Sequence, residues 1–310
     1  MLDSIEIRIW RRKSSGQLDE RLNVAPVELN RNPGSLRGHA LIDLHCHLLS
    51  GIDDGAADLE ESLEMARLSV AGGVSVIACT PHFFPGVYNN SGPDIRFRIA
   101  SLQSHLDDAG IDCRLVSGGD LHIAPDLLAK LKSGEALSLN DGRYVLVEPP
   151  HHILPPNIEG LFFNLLSAGY VPILTHPERM SWIEREYDLV RRLVRSGVWM
   201  QITAAALLGD FGSRAKGWSL RMLREGLVQI VASDAHGAVR RPPRMAEALS
   251  ALIPLVGQEE ALNLVQVRPE AIVNNHAPSA VPEPPLAVPE VYESDRETLW
   301  NRVSRYFRVD

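Results

Sequence analysis

Two histidines separated by one residue stand near the start of the chain, in the sequence Asp43-Leu44-His45-Cys46-His47. The apolar run before them predicts the end of a buried strand, on which side chains two residues apart point to the same side. Two imidazoles on one side of a strand end can bind one metal ion. An isolated His-x-His pair is equally compatible with one packed and one exposed histidine, so its interpretation depends on the rest of the chain.

Residues of the same kind recur where other predicted strands end. Six of the seven strand ends carry His, Asp or Glu, and any one of them alone would be an ordinary loop residue. Their recurrence predicts one common site, because the carboxyl ends of parallel strands meet on one face. The candidate ligands are His45, His47, Asp54, His82, Asp120, Glu148, His176, Asp234 and His236.

The five imidazoles and four carboxylates form a nitrogen and oxygen donor set without a thiolate. Such a set suits Mn²⁺, Fe²⁺ or Zn²⁺ in a multinuclear site in which a carboxylate bridges two ions. Three divalent ions would give the filled centre a formal charge of about +2, which attracts a phosphoryl group. A metal-bridged water of lowered pKa would then attack phosphorus in line.

The elements that must position these residues are seven apolar segments that alternate with amphipathic helical segments. Their short connections and nearly unbroken apolar strands predict an α/β fold with a parallel sheet covered on both faces. A closed, TIM-like barrel is the first prediction, and an open doubly wound sheet is the alternative, because periodicity does not show closure. The predicted strands lie at residues 40–42, 74–79, 113–117, 144–147, 171–174, 198–202 and 227–231.

The composition narrows the functional classes. The chain has 310 residues, a net charge of −8 and a pI near 5.8, which argues against a nucleic-acid-binding protein with a broad basic face. It shows neither a signal-like segment nor a run of 18 apolar residues, so we expect a cytoplasmic protein without membrane insertion. The three cysteines are expected to be reduced, and none has an arginine six residues later, as the thiolate loop of cysteine-dependent tyrosine phosphatases requires.

Together the motifs resemble the PHP (polymerase and histidinol phosphatase) family, and within it the manganese-dependent tyrosine-protein phosphatases of bacterial capsule and exopolysaccharide operons. The resemblance covers residues 42 to about 275. The narrower match rests on Ile-Asp-Asp-Gly at 52–55 and His-Pro-Glu-Arg at 176–179. Further matching stretches lie at 42–47, 80–82, 86–88, 140–144 and 231–236.

This resemblance implies a distorted (βα)₇ barrel, the PHP fold, and three divalent metal ions, with manganese first and iron or zinc as alternatives. It also implies a phosphotyrosine protein as substrate, namely a bacterial tyrosine kinase that regulates capsule or exopolysaccharide synthesis. Asp120 would bridge two ions, at a position where the family usually has Glu. The implied ligand sets are His45, His47, Asp120 and Asp234 for the first ion, Asp120, Glu148 and His176 for the second, and Asp54, His82 and His236 for the third.

Arg179 is the candidate for holding the phosphate oxygens. It follows His176 by three residues, and a guanidinium binds oxyanions through two parallel hydrogen bonds. An arginine that caps a surface helix is the alternative interpretation. Arg179, Asp120 and His176 form the predicted catalytic set, and Arg241 is a weaker second candidate for the phosphate.

Aromatic residues and another histidine pair flank these motifs. Phe83, Phe84 and Tyr88 would line a slot for an aryl group, although aromatic side chains beside a barrel mouth are as often part of the packing. His151 and His152 follow the fourth predicted strand and are interpreted as a solvent-exposed pair.

Three functions are compatible with the sequence. The first is a metal-dependent protein-tyrosine phosphatase. The second is a phosphoesterase on the same scaffold for a small metabolite, such as histidinol phosphate or a nucleotide. The third is a non-catalytic scaffold with a vestigial site, which is disfavoured because no ligand position is missing.

The chain is predicted to contain three segments. Residues 1–38 form a flexible extension, and residues 39–276 form the catalytic barrel. Residues 277–310 form a proline-rich linker followed by a helix over 294–309. Such a helix packs on its own domain or on a sister subunit, so a homo-oligomer is left open.

Overall fold

The computed structural model describes residues 40–285 and, for the backbone alone, residues 11–12 and 18–19. The chain divides into two units, Met1–Gly38 and His39–Asp310. In the first unit, Arg11–Arg12 pairs with Leu18–Asp19 as a short antiparallel ladder. The predicted helix over residues 294–309 lies outside the described residues.

The described part of the second unit is built on parallel strands, which confirms the predicted mixed α/β fold. These strands are β1 (Leu41–Cys46), β2 (Val74–Cys79), β3 (His82–Phe83), β4 (Arg114–Ser117), β5 (Asp120–His122), β6 (Tyr144–Glu148), β7 (Val171–Thr175), β8 (Trp199–Thr203) and β9 (Ile230–Ala232). They form two sheets, with strand orders β1-β2-β4 and β9-β8-β7-β6-β5-β3. A parallel bridge between Cys46 and Ala235 joins the end of β1 to the residues after β9, so the sheet is curled.

Helices follow most of these strands, as the apolar periodicity predicts. At the start of the first helix the Asp58 side chain accepts a hydrogen bond from the Glu61 N–H at 2.9 Å, and the Glu61 carboxylate accepts one from the Ala57 N–H instead of the Asp58 N–H of a capping box. A π-helical turn, Asn263–Val267, joins the last two helices. The helices are α1 (Leu59–Ala71), α2 (Gly92–Asp108), α3 (Leu127–Ser133), α4 (Ile158–Ser167), α5 (Tyr187–Arg195), α6 (Ala204–Leu208), α7 (Gly212–Arg224), α8 (Met245–Val256), α9 (Gln258–Leu262) and α10 (Arg268–Val273).

Strand β6 shows how the pleat of the sheet positions a site residue. Tyr144 and Leu146 pack in one apolar cluster, whereas Val145 and Val147 pack in another on the opposite side. Glu148 continues the alternation on the side of Tyr144 and Leu146. The strand is therefore buried on both sides, and its last side chain points to the interior of the curled sheet.

The segment beyond residue 276 begins packed on the domain. The fully buried Arg268 donates two hydrogen bonds to the Glu260 carboxylate, at 2.8 and 2.7 Å, and a third to the Pro282 carbonyl at 2.7 Å. Val281 is buried as well. Residues up to Pro282 thus contribute contacts to the domain. None of the described helices combines the length and apolar character that crossing a bilayer requires.

Candidate metal centre

The end of β1 carries two of the predicted ligands. His45 and His47 are fully buried, and their Nε2 atoms lie 3.3 Å apart. Asp234, just after β9, brings its Oδ1 atom to 3.4 Å from His45 Nε2 and 3.5 Å from His47 Nε2. Two neighbouring strand ends thus place three donor atoms around one point.

A second group of donors surrounds Asp54, which lies in the loop after β1. Asp54 Oδ1 is 3.4 Å from His82 Nε2 and 3.4 Å from His236 Nε2. His47 belongs to the same group, since its ring centroid lies 3.8 Å from that of His236. This group contains all three predicted ligands of the third ion, and His47 in addition.

Asp120 lies close to two groups of donors, and these groups match the predicted ligand sets only in part. Its Oδ2 atom is 3.3 Å from His82 Nδ1 and 3.6 Å from His45 Nε2. Asp120 thus groups with His45 and His47, and separately with His82 and Glu148. The group around His176 contains Glu148 and His151 instead of Asp120.

The distances between these donors fit shared metal ions better than direct hydrogen bonds. Two atoms bound to one ion at about 2.0–2.2 Å stand roughly 3.0–3.5 Å apart. His82 Nδ1 and Asp120 Oδ2 are buried without a hydrogen-bond partner, although they face each other at 3.3 Å. Imidazole nitrogen and carboxylate oxygen are donors that Mn²⁺, Fe²⁺ and Zn²⁺ accept. The residues therefore fit a cluster of divalent cations.

The electrostatics of the protein alone point to the same conclusion. Burial lowers the pKa of His47, but hydrogen bonds with Asp234 and Asp53 outweigh it and raise the pKa to about 9. Burial also lowers the pKa of His82, but the neighbouring carboxylates outweigh burial and raise the pKa of His82 to about 12. Asp120 has the largest effect among these carboxylates. Protons thus occupy positions that a divalent ion would take, so ion affinity is expected to increase with pH.

Two residues behind the histidines were missed by the sequence analysis. Gln201 Oε1 lies 2.9 Å from His45 Nδ1, and Asp53 Oδ2 lies 2.7 Å from His47 Nδ1. Each partner accepts the Nδ1 proton, which leaves Nε2 free to bind a metal. Gln201 could have been noticed as a polar residue inside the apolar strand β8, whereas Asp53 was passed over beside Asp54.

Two arginines meet on the Asp234 carboxylate at the mouth of the centre. Arg179 Nη1 and Arg241 Nη2 both donate a hydrogen bond to Asp234 Oδ2. The distance from Arg241 Nη2 to this oxygen is 2.6 Å. Both guanidinium groups also lie on the Phe211 ring, at 4.4 and 5.5 Å from its centroid. Arg179 therefore lies beside Arg241 and Asp234, three residues after His176.

Two of the candidate ligands have a left-handed backbone. His176 has φ 35° and Asp234 has φ 52°, values that non-glycine residues rarely adopt. The Asp234 N–H donates to the His45 carbonyl at 2.8 Å, which ties this conformation to the end of β1. Such conformations persist where the surrounding structure fixes them, and they concentrate at functional sites.

Aromatic side chains border one edge of the centre. Tyr88 stacks on His82 with ring centroids 5.6 Å apart, and Phe84 stacks on His122 at 3.9 Å. Phe83 is buried in the apolar core and also lines an adjacent cleft of about 160 Å³. Of the three aromatic residues, Phe83 therefore serves mainly as packing. His122 was not a predicted site residue.

A curled parallel sheet with buried nitrogen and oxygen donors at its carboxyl edge defines a protein of the metal-dependent hydrolase class. Residues 41–274 match the family model described as "Capsular polysaccharide synthesis, CpsB/CapC". The chain belongs to this family. The resemblance read from the sequence is thus confirmed.

The relatives are tyrosine-protein phosphatases. YwqE of Bacillus subtilis is 38% identical over 219 residues, which cover 71% of this chain and 86% of YwqE. CpsB of Streptococcus agalactiae is 31% identical over 242 residues, which cover 76% of this chain and 99% of CpsB. A crystal structure from work on YwqE and CpsB, described as unique metal-dependent tyrosine phosphatases, superimposes with a TM-score of 0.73 at 36% identity and covers 76% of this chain and 95% of the other.

Proposed function

We propose that this protein is a metal-dependent phosphatase that hydrolyses phosphotyrosine on a protein. The observation that carries the proposal is a buried set of nitrogen and oxygen donors beside two guanidinium groups, in a chain of the CpsB/CapC family. Its named relatives are tyrosine-protein phosphatases at 31 to 38% identity. The donors would hold cations, and the guanidinium groups would hold the phosphate.

Nine residues of the chain would hold three divalent ions, of which manganese is our first choice and iron or zinc are alternatives. When bound, such ions neutralise the phosphoryl oxygens and supply a water of lowered pKa for in-line attack. Seven of the nine side chains are buried, whereas His82 is 14% and Asp54 is 42% exposed. The residues are His45, His47, Asp54, His82, Asp120, Glu148, His176, Asp234 and His236.

Arg179 and Arg241 would orient the phosphate. Asp234 accepts from one terminal nitrogen of each guanidinium and so fixes both side chains at the mouth. The remaining N–H groups can donate to the non-bridging phosphate oxygens in a bidentate arrangement. The Phe211 ring packs against both guanidinium groups and limits the rotamers of the two arginine side chains.

A cysteine nucleophile is not supported. Burial raises the pKa of Cys46 and Cys79 well above the usual range of a thiol, and it raises the pKa of Cys113 to about 12. A thiolate is the nucleophilic form, so these side chains are inert at neutral pH. Attack by water, without a phosphoenzyme, is therefore the mechanism that this chain supports.

We further propose that the substrate is a bacterial tyrosine kinase that regulates capsule or exopolysaccharide synthesis, and that the reaction takes place in the cytoplasm. The family description, which refers to capsular polysaccharide synthesis, supports this assignment. Residues 39–276 would form a closed, distorted (βα)₇ barrel as the catalytic unit, with residues up to Pro282 packed on it. Tyr88, stacked on His82 beside the centre, would contact the tyrosyl ring of the substrate.

The test compares three substrates on the full-length chain with Mn²⁺. A phosphotyrosine peptide should be hydrolysed with a much higher kcat/KM than histidinol phosphate or a nucleoside monophosphate. EDTA should abolish the activity, and added Mn²⁺ should restore it. A preference for either small molecule would assign the chain to metabolite hydrolysis, and no turnover of any substrate would support the scaffold interpretation.

A further inference from the structure

His151 lies three residues after Glu148, in the loop that follows β6. Its Nε2 atom is 3.2 Å from Glu148 Oε1, and His176 Nε2 is 3.4 Å from the same oxygen. The ring centroids of the two histidines are 5.1 Å apart. One carboxylate oxygen thus stands between two imidazole nitrogens that come from different loops.

The position of His151 is fixed by contacts of the backbone around it. Its carbonyl accepts hydrogen bonds from the Ser181 N–H at 2.9 Å and the Ser181 hydroxyl at 3.1 Å. The Pro150 carbonyl accepts one from the indole N–H of the buried Trp182 at 3.1 Å. The loop after β6 is therefore held against the turn after β7, and the imidazole is carried to Glu148 by this docking.

An ordinary ion pair between Glu148 and a protonated His151 leaves part of this arrangement unexplained. His176 is almost completely buried, and its Nε2 atom faces the same Glu148 oxygen as His151 Nε2 does. A proton on His151 accounts for its own contact with Glu148, but the 3.4 Å separation of His176 Nε2 from the same oxygen is longer than a usual N–H···O hydrogen bond. A divalent cation among the three side chains would contact both Nε2 atoms and the carboxylate oxygen at once, because separations of 3.2 and 3.4 Å match two donors on one ion.

We infer that His151 is a metal ligand that completes the site of Glu148 and His176. The inference rests on the proposed function, because it adds a ligand to one of the proposed ions. The ligand sets implied by the family resemblance give this ion Asp120, but Asp120 Oδ2 faces His82 and His45. His151 supplies the third protein donor on this side of the centre.

This geometry predicts an effect on one ion only. The side chain of His151 is 30% exposed, so its removal opens this site to solvent without a large loss of packing. The groups around Asp54 and around His45 contain no atom of His151. Loss of His151 should therefore weaken one binding step and leave the others unchanged.

The experiment measures Mn²⁺ binding to the metal-free, full-length protein by isothermal titration calorimetry. His151→Ala should weaken one Mn²⁺ binding step by about tenfold or more, and dialysed protein should retain one ion fewer. His152→Ala is the matched control, because it removes the neighbouring exposed imidazole and should bind Mn²⁺ as the wild type does. His151→Phe keeps an aromatic ring without a metal-binding nitrogen and should bind Mn²⁺ as His151→Ala does. His151→Asp supplies a carboxylate oxygen and should recover part of the Mn²⁺ affinity.

Co²⁺ provides a second readout that does not depend on turnover. The visible absorption of Co²⁺ depends on its ligands. In the Co²⁺-loaded protein, the absorption of one bound equivalent should therefore differ from the wild type in His151→Ala but not in His152→Ala. Unchanged Mn²⁺ affinity and Co²⁺ spectrum in His151→Ala would overturn the inference, even if turnover fell. Failure of the wild type to bind Mn²⁺ at all would instead overturn the proposed function, so the two failures are distinguishable.

Discussion

Replacing Asp53 by asparagine tests whether a carboxylate behind His47 is needed to hold that ligand. Asp53 Oδ2 accepts hydrogen bonds from His47 Nδ1 at 2.7 Å and from the His82 backbone N–H at 3.0 Å. Its Oδ1 atom accepts a third from the Gly55 N–H at 2.9 Å. All three partners are donors, and the side chain is fully buried. An amide nitrogen in place of either oxygen therefore faces a donor, and at least one bond is lost.

The size of the effect follows from this count. Loss of one buried hydrogen bond to a charged group costs about 1.5–3 kcal/mol, so the free energy of unfolding of metal-free Asp53→Asn should fall by about 2 kcal/mol. Removing the partner that orients a metal-binding histidine should weaken Mn²⁺ binding by about 10- to 100-fold. Urea unfolding in EDTA measures the first quantity, and calorimetric titration with Mn²⁺ measures the second.

Asp112→Asn is the matched control, because it removes the same charge from an exposed position. It should leave both quantities unchanged. If Asp53→Asn loses stability but binds Mn²⁺ with wild-type affinity, the carboxylate does not act through the ligand. If both quantities match the wild type, the hydrogen-bond argument is refuted.

Other perturbations separate the roles of the site residues. Asp120→Ala should lower kcat by about 10³-fold or more, whereas Arg179→Ala should cause a smaller loss, mainly in KM; near wild-type turnover of Asp120→Ala with full metal would contradict the assigned centre. Cys46→Ser should keep most of the activity, and trapping of a phosphocysteine would refute attack by water. The metal-free protein should lose stability between pH 6.5 and about 9, as urea unfolding will show. The folded-state pKa of His47 is raised to about 9, so the folded state binds the extra proton and its advantage disappears as that proton leaves. Truncation after Pro285 should preserve hydrolysis of a small aryl phosphate, since the described domain contacts end before it; loss of activity in a folded protein would assign the removed tail a catalytic role.

Several of the candidate ligands could be predicted because they follow apolar runs that are readable on their own. His45, His176 and Asp234 stand at strand ends, and the parallel sheet brings such ends together. The pairing of ligands into groups could not be predicted, because it depends on side-chain directions that differ by a few ångströms. Gln201 was missed for the same reason, since it reaches His45 from another strand, and His151 was interpreted as solvent-exposed although its ring contacts Glu148.

The break in the sheet explains how Asp120 reaches the centre. The apolar pattern predicts one strand over residues 113–117 and no separate strand at Asp120, but the structure ends β4 at Ser117 and starts β5 at Asp120. Between them, a Cβ atom on Gly118 would lie 2.8 Å from Thr80 Cγ2, and one on Gly119 would lie 2.5 Å from the Phe83 ring.

The glycine pair therefore allows the chain to pass close to the break between β2 and β3. Beyond the break, β5 pairs with β3 in a register that puts Asp120 opposite His82, and it pairs with β6 so that His122 lies opposite Glu148. Neighbouring strands in register are about 4.8 Å apart, which suits donors that share a cation. Asp120 thus meets His82 because the two glycines let the chain cross from the β1-β2-β4 sheet to the other sheet before β5 begins.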